Sequence, residues 1–239
     1  MIRITETRDL RHAMQAVAPY PIGVLPVPET IAGTAFFPGG HGLYLEDGPT
    51  AFPTGKVMVL GHDFHSEEQY EKSRARGMED LNAPTWRNLL NLLKEVHLAP
   101  TECFFTNFFM GLREGKATTG MFPGRKDKDF VQRCQDFFLD QVAVQRPRTI
   151  LVLGGQVPKL LAPLSGKLQA WGKADSLGSI DRAGAGLVRQ VSFRSDTPPA
   201  NFVVLTHPSL RQANLRHRKP PAVMDAASYE RELLVNGLA

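Results

Sequence analysis

Cysteine is almost absent from this chain of 239 residues. There are two, Cys103 and Cys134, far apart and with no C-x-x-C pair. A cysteine-built zinc or iron–sulfur centre is therefore excluded within the chain. Cys103 sits in an apolar run and reads as a buried reduced thiol, which points to a cytoplasmic protein. No apolar run approaches the roughly 20 residues needed to span a bilayer. The first residues, MIRITETRDLRHAMQAV, mix both charges and lack the apolar segment of a secretory signal. Neither sign of charge dominates. The 28 Lys and Arg against 24 Asp and Glu leave +4, with a pI near 9.2. That mild basicity permits a polyanionic partner and equally fits an ordinary surface with a slight Lys/Arg excess. There is no internal repeat and no low-complexity tract.

What is present has the composition of a soluble globular protein, 42% hydrophobic and 22% charged, at a length that suits one α/β domain. Residues 6–18 have helical spacing, with Leu10, Met14 and Val17 on one face. A Pro/Gly-rich lead-in follows and carries Phe36, Phe37 and His41. Four apolar runs then read as strands: KVMVLG (56–61), CFFTN (103–107), TILVLGG (149–155) and NFVVLTH (201–207). Each is apolar through its length rather than alternating, as in strands covered on both faces of a parallel sheet. Helical segments separate them. APTWRNLLNLLKEVHL aligns Trp86, Leu89, Leu90 and Leu93; DFVQRCQDFFLDQVAVQ aligns Phe130, Cys134, Phe137, Phe138 and Val142; QVPKLLAPL makes a short third helix. Residues 164–198, rich in Gly, Ser and Arg, read as loop with a weak hairpin. The expected fold is α/β, a three-layer sandwich with a central four-stranded parallel sheet flanked by helices. One domain covers 1–239, with a helix and lead-in over 1–50 and a core over 55–220.

In such sheets ligands bind beyond the carboxyl ends of the strands. Those ends carry Gly61-His62-Asp63-Phe64-His65, then Thr106-Asn107, then Gly154-Gly155, then His207-Pro208-Ser209. Singly each has a bland reading: Asp63 as a helix cap, Asn107 as a turn residue, His207 as part of a strand exit. Their succession at strand ends points instead to one crevice.

In that order these motifs resemble the uracil-DNA glycosylase superfamily over roughly residues 55 to 220. The resemblance implies a four-stranded parallel sheet and hydrolysis of the N-glycosidic bond of uracil or a related damaged base, flipped out of DNA, in base-excision repair. It assigns Asp63 to orienting the attacking water and stabilising the sugar cation, and His207 to the departing pyrimidine anion. Asn107 would read the base and Ser209 would grip a phosphate. Leu210 or Arg211 would stand where the family inserts a wedge into the duplex. Gly61, His62, Phe64 and His65 complete the substrate side. Classical members have G-Q-D-P-Y-H after the first strand. Here Phe64 replaces the proline and His65 the tyrosine that excludes the thymine methyl, so strict uracil selectivity is not implied. The resemblance also implies an aromatic that stacks on the base; the candidates are Phe64, and Phe36 or Phe37 of the lead-in, which fit ordinary packing equally. No lysine occupies a motif position, so no lyase step is expected.

The residue types suit that chemistry on their own terms. Breaking an N-glycosidic bond builds positive charge on the sugar and negative charge on the base, and a fixed carboxylate and a hydrogen-bond donor answer the two. No cofactor and no metal are expected; His62, Asp63, His65 and His207 form only a weak metal pattern. The cluster RQANLRHRKPP, with Arg211, Arg216, His217, Arg218 and Lys219, reads as phosphate contact for duplex or single-stranded DNA. A second cluster, Arg113, Lys116, Arg125, Lys126 and Lys128, fits phosphate contact and solvated surface equally. A monomer is expected. The rival readings are a non-cleaving relative that binds nucleic acid or a modified base, and a small-molecule nucleoside hydrolase.

Overall fold

A computed structural model of the protein describes residues 13–28, 55–221 and 223–239. Leu10, Phe36, Phe37 and His41, with most of the lead-in, lie outside the described residues. Among the described residues the strands are β1 (Val24–Leu25), β2 (Val57–Gly61), β3 (Cys103–Asn107), β4 (Leu112–Arg113), β5 (Thr149–Leu153), β6 (Leu187–Val191) and β7 (Ala200–Leu205). The α-helices are α1 (Glu67–Arg76), α2 (Pro84–Glu95), α3 (Lys128–Gln145), α4 (Val157–Leu161), α5 (Gln169–Lys173), α6 (Leu177–Arg182), α7 (Arg211–Leu215) and α8 (Ala226–Leu238). No helix among them is long and apolar enough to cross a membrane.

The fold is mixed α/β around a five-stranded, mostly parallel sheet of order β3-β2-β5-β7-β6. β2 runs parallel to β5 and β5 parallel to β7, with Leu153 level with Leu205. All four apolar runs are strands. The expectation of four was one short, because β6 pairs antiparallel with β7 at the sheet edge. Its sequence, LVRQV, leaves Arg189 and Gln190 exposed and is interrupted by a bulge. An edge strand with a wet face lacks the continuous apolar run that marks the others. Part of 164–198 is also more ordered than a loop. Residues 169–182 carry α5 and α6, and Leu168, Trp171, Leu177 and Ile180 are buried there.

The chain divides into two compact units. The first comprises residues 1–54, 61–79 and 104–145. Its described part centres on α3, which buries all five residues that the spacing aligned. Gln141 of that helix accepts a 2.6 Å hydrogen bond from Thr106 and so fixes the end of β3. Arg133 donates to the carbonyls of Val17 and Pro19, tying down the N-terminal segment. β1 and β4 form a two-stranded antiparallel pair that the sequence reading did not include.

The second unit comprises 55–60, 80–103 and 146–239. α2 starts with proline at its first turn and buries Trp86, Leu89, Leu92 and Leu93; Leu90 is only half-buried. β7 shows why its sequence is apolar without alternation. Phe202 meets Trp171 and Phe193 on one face, while Val203 faces α8 on the other. The helix approaches so closely that the Gly237 carbonyl accepts from Thr149 at 2.7 Å and from Asn201 at 3.1 Å. A Cβ on Gly237 would stand 2.2 Å from a Val203 methyl. Alanine would gain about 1 kcal/mol of helix propensity. Overpacking a rigid core typically costs 1–3 kcal/mol, and this contact is at the severe end. Gly237→Ala should therefore lower the urea midpoint, read by far-UV circular dichroism, despite the better helix former. An unchanged or raised midpoint would show that α8 can withdraw from β7 freely.

Candidate active site

The polar run after β2 is organised by one carboxylate. Asp63 accepts hydrogen bonds on both oxygens: from His62 Nδ1 at 2.7 Å and Arg113 Nη2 at 2.9 Å on Oδ2, and from the His65 amide at 3.0 Å and Arg113 Nε at 3.3 Å on Oδ1. The side chain is 9% exposed. Burial alone would raise its pKa. The hydrogen bonds and charges of His62 and Arg113 more than reverse that, and they hold the carboxyl well below the usual carboxylate range. The Asp63 partnership also fixes the His62 proton on Nδ1.

Arg113 is as fully engaged as its partner. Its five N–H groups reach Asp63 twice and the carbonyls of Thr119, Gly120 and Met121, and the guanidinium lies 5.4 Å from the Phe122 ring centre. Its own amide donates to the His65 carbonyl at 2.9 Å. The planar fork suits this use in a way that a lysine would not. His65 itself has φ of 71°, the left-handed region, where a non-glycine residue costs about 1–2 kcal/mol. The bonds to Asp63 and Arg113 on either side of it hold that conformation. The helix cap suggested for Asp63 falls to Ser66 instead, which accepts from the Gln69 amide.

Around this pair the first unit is aromatic. The His62 ring stands edge-on to Phe109 at 5.1 Å, and Phe109 stacks on Phe122 at 4.4 Å. Gly61 and Phe64 are buried, and His65 is exposed. Asn107 ends β3 and is buried. The next two residues continue the ladder, with the Phe108 amide bonded to the Gly61 carbonyl and the Phe109 amide to that of His62. The sequence reading missed Arg113 as a site residue and missed the Phe109–Phe122 wall. The segment FFMGLR directly after Asn107 was the available signal.

In the second unit the β7 exit forms a tight turn. His207 Nδ1 accepts from the Ser209 amide at 3.3 Å and lies 2.8 Å from the Ser209 hydroxyl. A ring nitrogen that accepts from an amide carries no proton, so this arrangement places a ring proton on Nε2. Gly154, at φ of 85°, lies against this ring; a Cβ there would be 3.3 Å from that of His207. The glycine at this strand end therefore supplies both a left-handed turn and room for the histidine. Asn88 of α2 donates to the Pro208 carbonyl at 2.7 Å.

Leu210 is 62% exposed and Arg216 is exposed. Arg211 is half-buried and paired with Glu230 at 3.1 Å. Arg218 corrects the expectation of a phosphate contact. It is buried, 2.9 Å from Asp181 and 3.6 Å from Glu230, and it donates to the Val204 carbonyl. Its charge faces inward because two buried carboxylates on α6 and α8 require a counter-ion. Cys103 and Cys134 are buried, and burial pushes both thiols up to about 12, so neither is a nucleophile. Among the described residues no group of three or more His, Cys, Asp or Glu side chains is arranged to hold a metal ion.

The family model of the Uracil DNA glycosylase superfamily matches residues 53–229. The chain belongs to that superfamily. No curated protein matches it. The superfamily match spans the Asp63 loop, β3 with Asn107, the Gly154 turn and the His207 turn, all of the strand ends that carry candidate residues.

The Asp63–Arg113 pair generates a pH prediction. A carboxyl with a folded pKa below its unfolded value stabilises the fold above about pH 4, and that contribution fades as pH falls through the folded value. Carboxyl-carbon NMR of the wild type should show no Asp63 titration near the ordinary value of about 3.9. Arg113→Met should move it upward and lose about 3–5 kcal/mol of stability at neutral pH, the usual result of unpairing a buried charge. A wild-type Asp63 that titrates near pH 4 would contradict the pairing.

Proposed function

We propose that the protein is a DNA glycosylase that hydrolyses the N-glycosidic bond of uracil or a related damaged base flipped out of DNA. The observation that carries this reading is the charged, buried Asp63 at a strand end within the superfamily match. In the reaction the C1′–N bond breaks and water's oxygen bonds C1′. One water proton is lost and the base anion gains one, leaving free base and an abasic site. Positive charge develops on the sugar, and a preorganised carboxylate stabilises it by electrostatics. Asp63 is preorganised in this sense, since it need not move or shed solvent. Both of its oxygens already accept two hydrogen bonds, so holding a water as well requires it to give one up.

His207 is suited to the other end of the bond. A neutral imidazole with its proton on Nε2 donates a hydrogen bond to the pyrimidine oxygen on which negative charge builds. Asn107 offers an amide that donates and accepts at once, which suits a base edge. Ser209 would bind a phosphate, exposed Leu210 would fill the gap left by the flipped base, and Arg216 would contact the backbone. Uracil itself is not singled out, because His65 stands where classical members use a tyrosine. The saturated hydrogen bonding of Asp63 also favours a second reading, a relative that binds nucleic acid without cleaving it.

Single-turnover incubation with oligonucleotides carrying uracil, hypoxanthine or other damaged bases separates the two. The glycosylase reading predicts release of a free base from at least one of them and a loss of about 100-fold or more in His207→Ala. Salt-sensitive binding with no release from any substrate would favour the non-cleaving relative. Neither release nor binding would contradict both.

A further inference from the structure

The superfamily match ends at residue 229, and the next side chain is a fully buried carboxylate. Glu230 lies on α8 and touches the His207 turn at both of its ends. Its Oε2 accepts from the Thr206 amide at 2.8 Å, immediately before His207. Its Oε1 pairs with Arg211 Nη2 at 3.1 Å, immediately after Leu210. Arg218 Nη1 approaches Oε2 at 3.6 Å and ties this carboxylate to Asp181, which in turn accepts from the Lys219 amide. The cluster balances two guanidinium groups against two carboxylates. The Arg218 guanidinium also rests 5.4 Å from the Tyr229 ring centre.

Such a cluster is a poor way to gain stability. Desolvating the charges largely cancels their attraction, and well-packed apolar residues in their place often stabilise a fold more. What the cluster does achieve is placement. A backbone amide before the turn is hydrogen-bonded to one Glu230 oxygen and a side chain after it is ion-paired with the other, so both ends of His207-Pro208-Ser209-Leu210 are tied to one carboxylate. Inside those ends, the His207–Ser209 bonds and the Asn88 contact to Pro208 leave the turn little freedom.

We propose that Glu230 is a positioning residue for His207: by clamping Thr206 and Arg211 together it sets where the imidazole stands, and so whether Nδ1 meets the Ser209 amide that keeps the ring proton on Nε2. The kinetic consequence rests on the glycosylase reading; the placement does not. Glu230 acts through His207 and touches no substrate, so its loss should slow the chemical step and leave binding of the intact duplex alone. A misplacement of about 1 Å can cost 10²-fold in rate.

The test is a double-mutant cycle on single-turnover base release with the full chain. Glu230→Gln keeps one acceptor for the Thr206 amide and loses the charge that holds Arg211. It should slow release about 10- to 100-fold with unchanged Kd for the substrate duplex. In a His207→Ala background the same substitution should have no further effect, because the residue it positions is gone. A wild-type rate in Glu230→Gln would overturn the proposal. So would an equal loss in both backgrounds, which is what a general structural defect produces. If Glu230→Gln does not fold, Glu230→Asp, which keeps the charge but shortens the reach, is put through the same cycle with the same outcomes. Nitrogen NMR of the His207 ring separates this claim from the glycosylase reading. If the wild type releases no base, that reading fails. A wild-type ring with its proton on Nε2, giving way to mixed tautomers in the Glu230 variants, would still support the clamp. An unchanged tautomer in the variants would overturn it.

Discussion

A carboxylate taken out of water stays ionised only if its surroundings replace the solvent it loses, and the first unit is arranged around one such replacement. Asp63 and Arg113 satisfy each other through two hydrogen bonds, and each then satisfies its remaining valence locally. Asp63 takes the His62 ring and the His65 amide. Arg113 takes three successive carbonyls from residues 119–121. The polar loop after β2, the segment after β4 and the left-handed His65 thus share one electrostatic centre. Surface ion pairs contribute little, but a buried pair cannot lose one member without stranding the other. The geometry around Asp63 is therefore close to all-or-none. A carboxylate held in this way is preorganised, its charge fixed without rearrangement.

The second unit solves a different problem by similar means. At the β7 exit the Ser209 amide donates to His207 Nδ1, which leaves Nε2 as the donor nitrogen of the ring. Gly154 leaves room for the ring, and Glu230 binds the backbone before it and the arginine after it. The basic run that follows His207 accordingly divides in two. Arg211 and Arg218 face inward as counter-ions, while Arg216, His217 and Lys219 face solvent. The positive charge available for a phosphate backbone is smaller than the run of Arg and Lys suggests.

The sequence reveals the parts of the structure whose causes are local. β2, β3, β5 and β7 are buried along their length, so their apolar runs mark them. The Phe130–Val142 face of α3 follows from helical spacing alone. β6 escaped notice because an edge strand buries too little to leave a pattern. Asp63, His207 and Asn107 were legible as polar residues at strand ends. Their partners were not. Arg113 meets Asp63 from 50 positions away, and within a cluster of Arg and Lys it resembles solvated surface. Arg218 misled for the same reason: nothing in RHRK tells an arginine facing water from one facing Asp181 and Glu230. Long-range pairing of charges leaves no periodic trace in a sequence, whereas burial of apolar faces does.

On the glycosylase reading, the charge of Asp63 matters more than its shape. Asp63→Asn is nearly isosteric, removes the negative charge, and turns one oxygen that accepts two hydrogen bonds into an NH2 that accepts none. Single-turnover release of the base from a substrate that the wild type cleaves, with the fold verified by circular dichroism, tests that claim most directly. The rate should fall about 100-fold or more, the scale expected when one preorganised electrostatic group is lost. A folded Asp63→Asn variant that releases base at the wild-type rate would contradict it, and Asp63 would then be a structural counter-ion to Arg113 and nothing more.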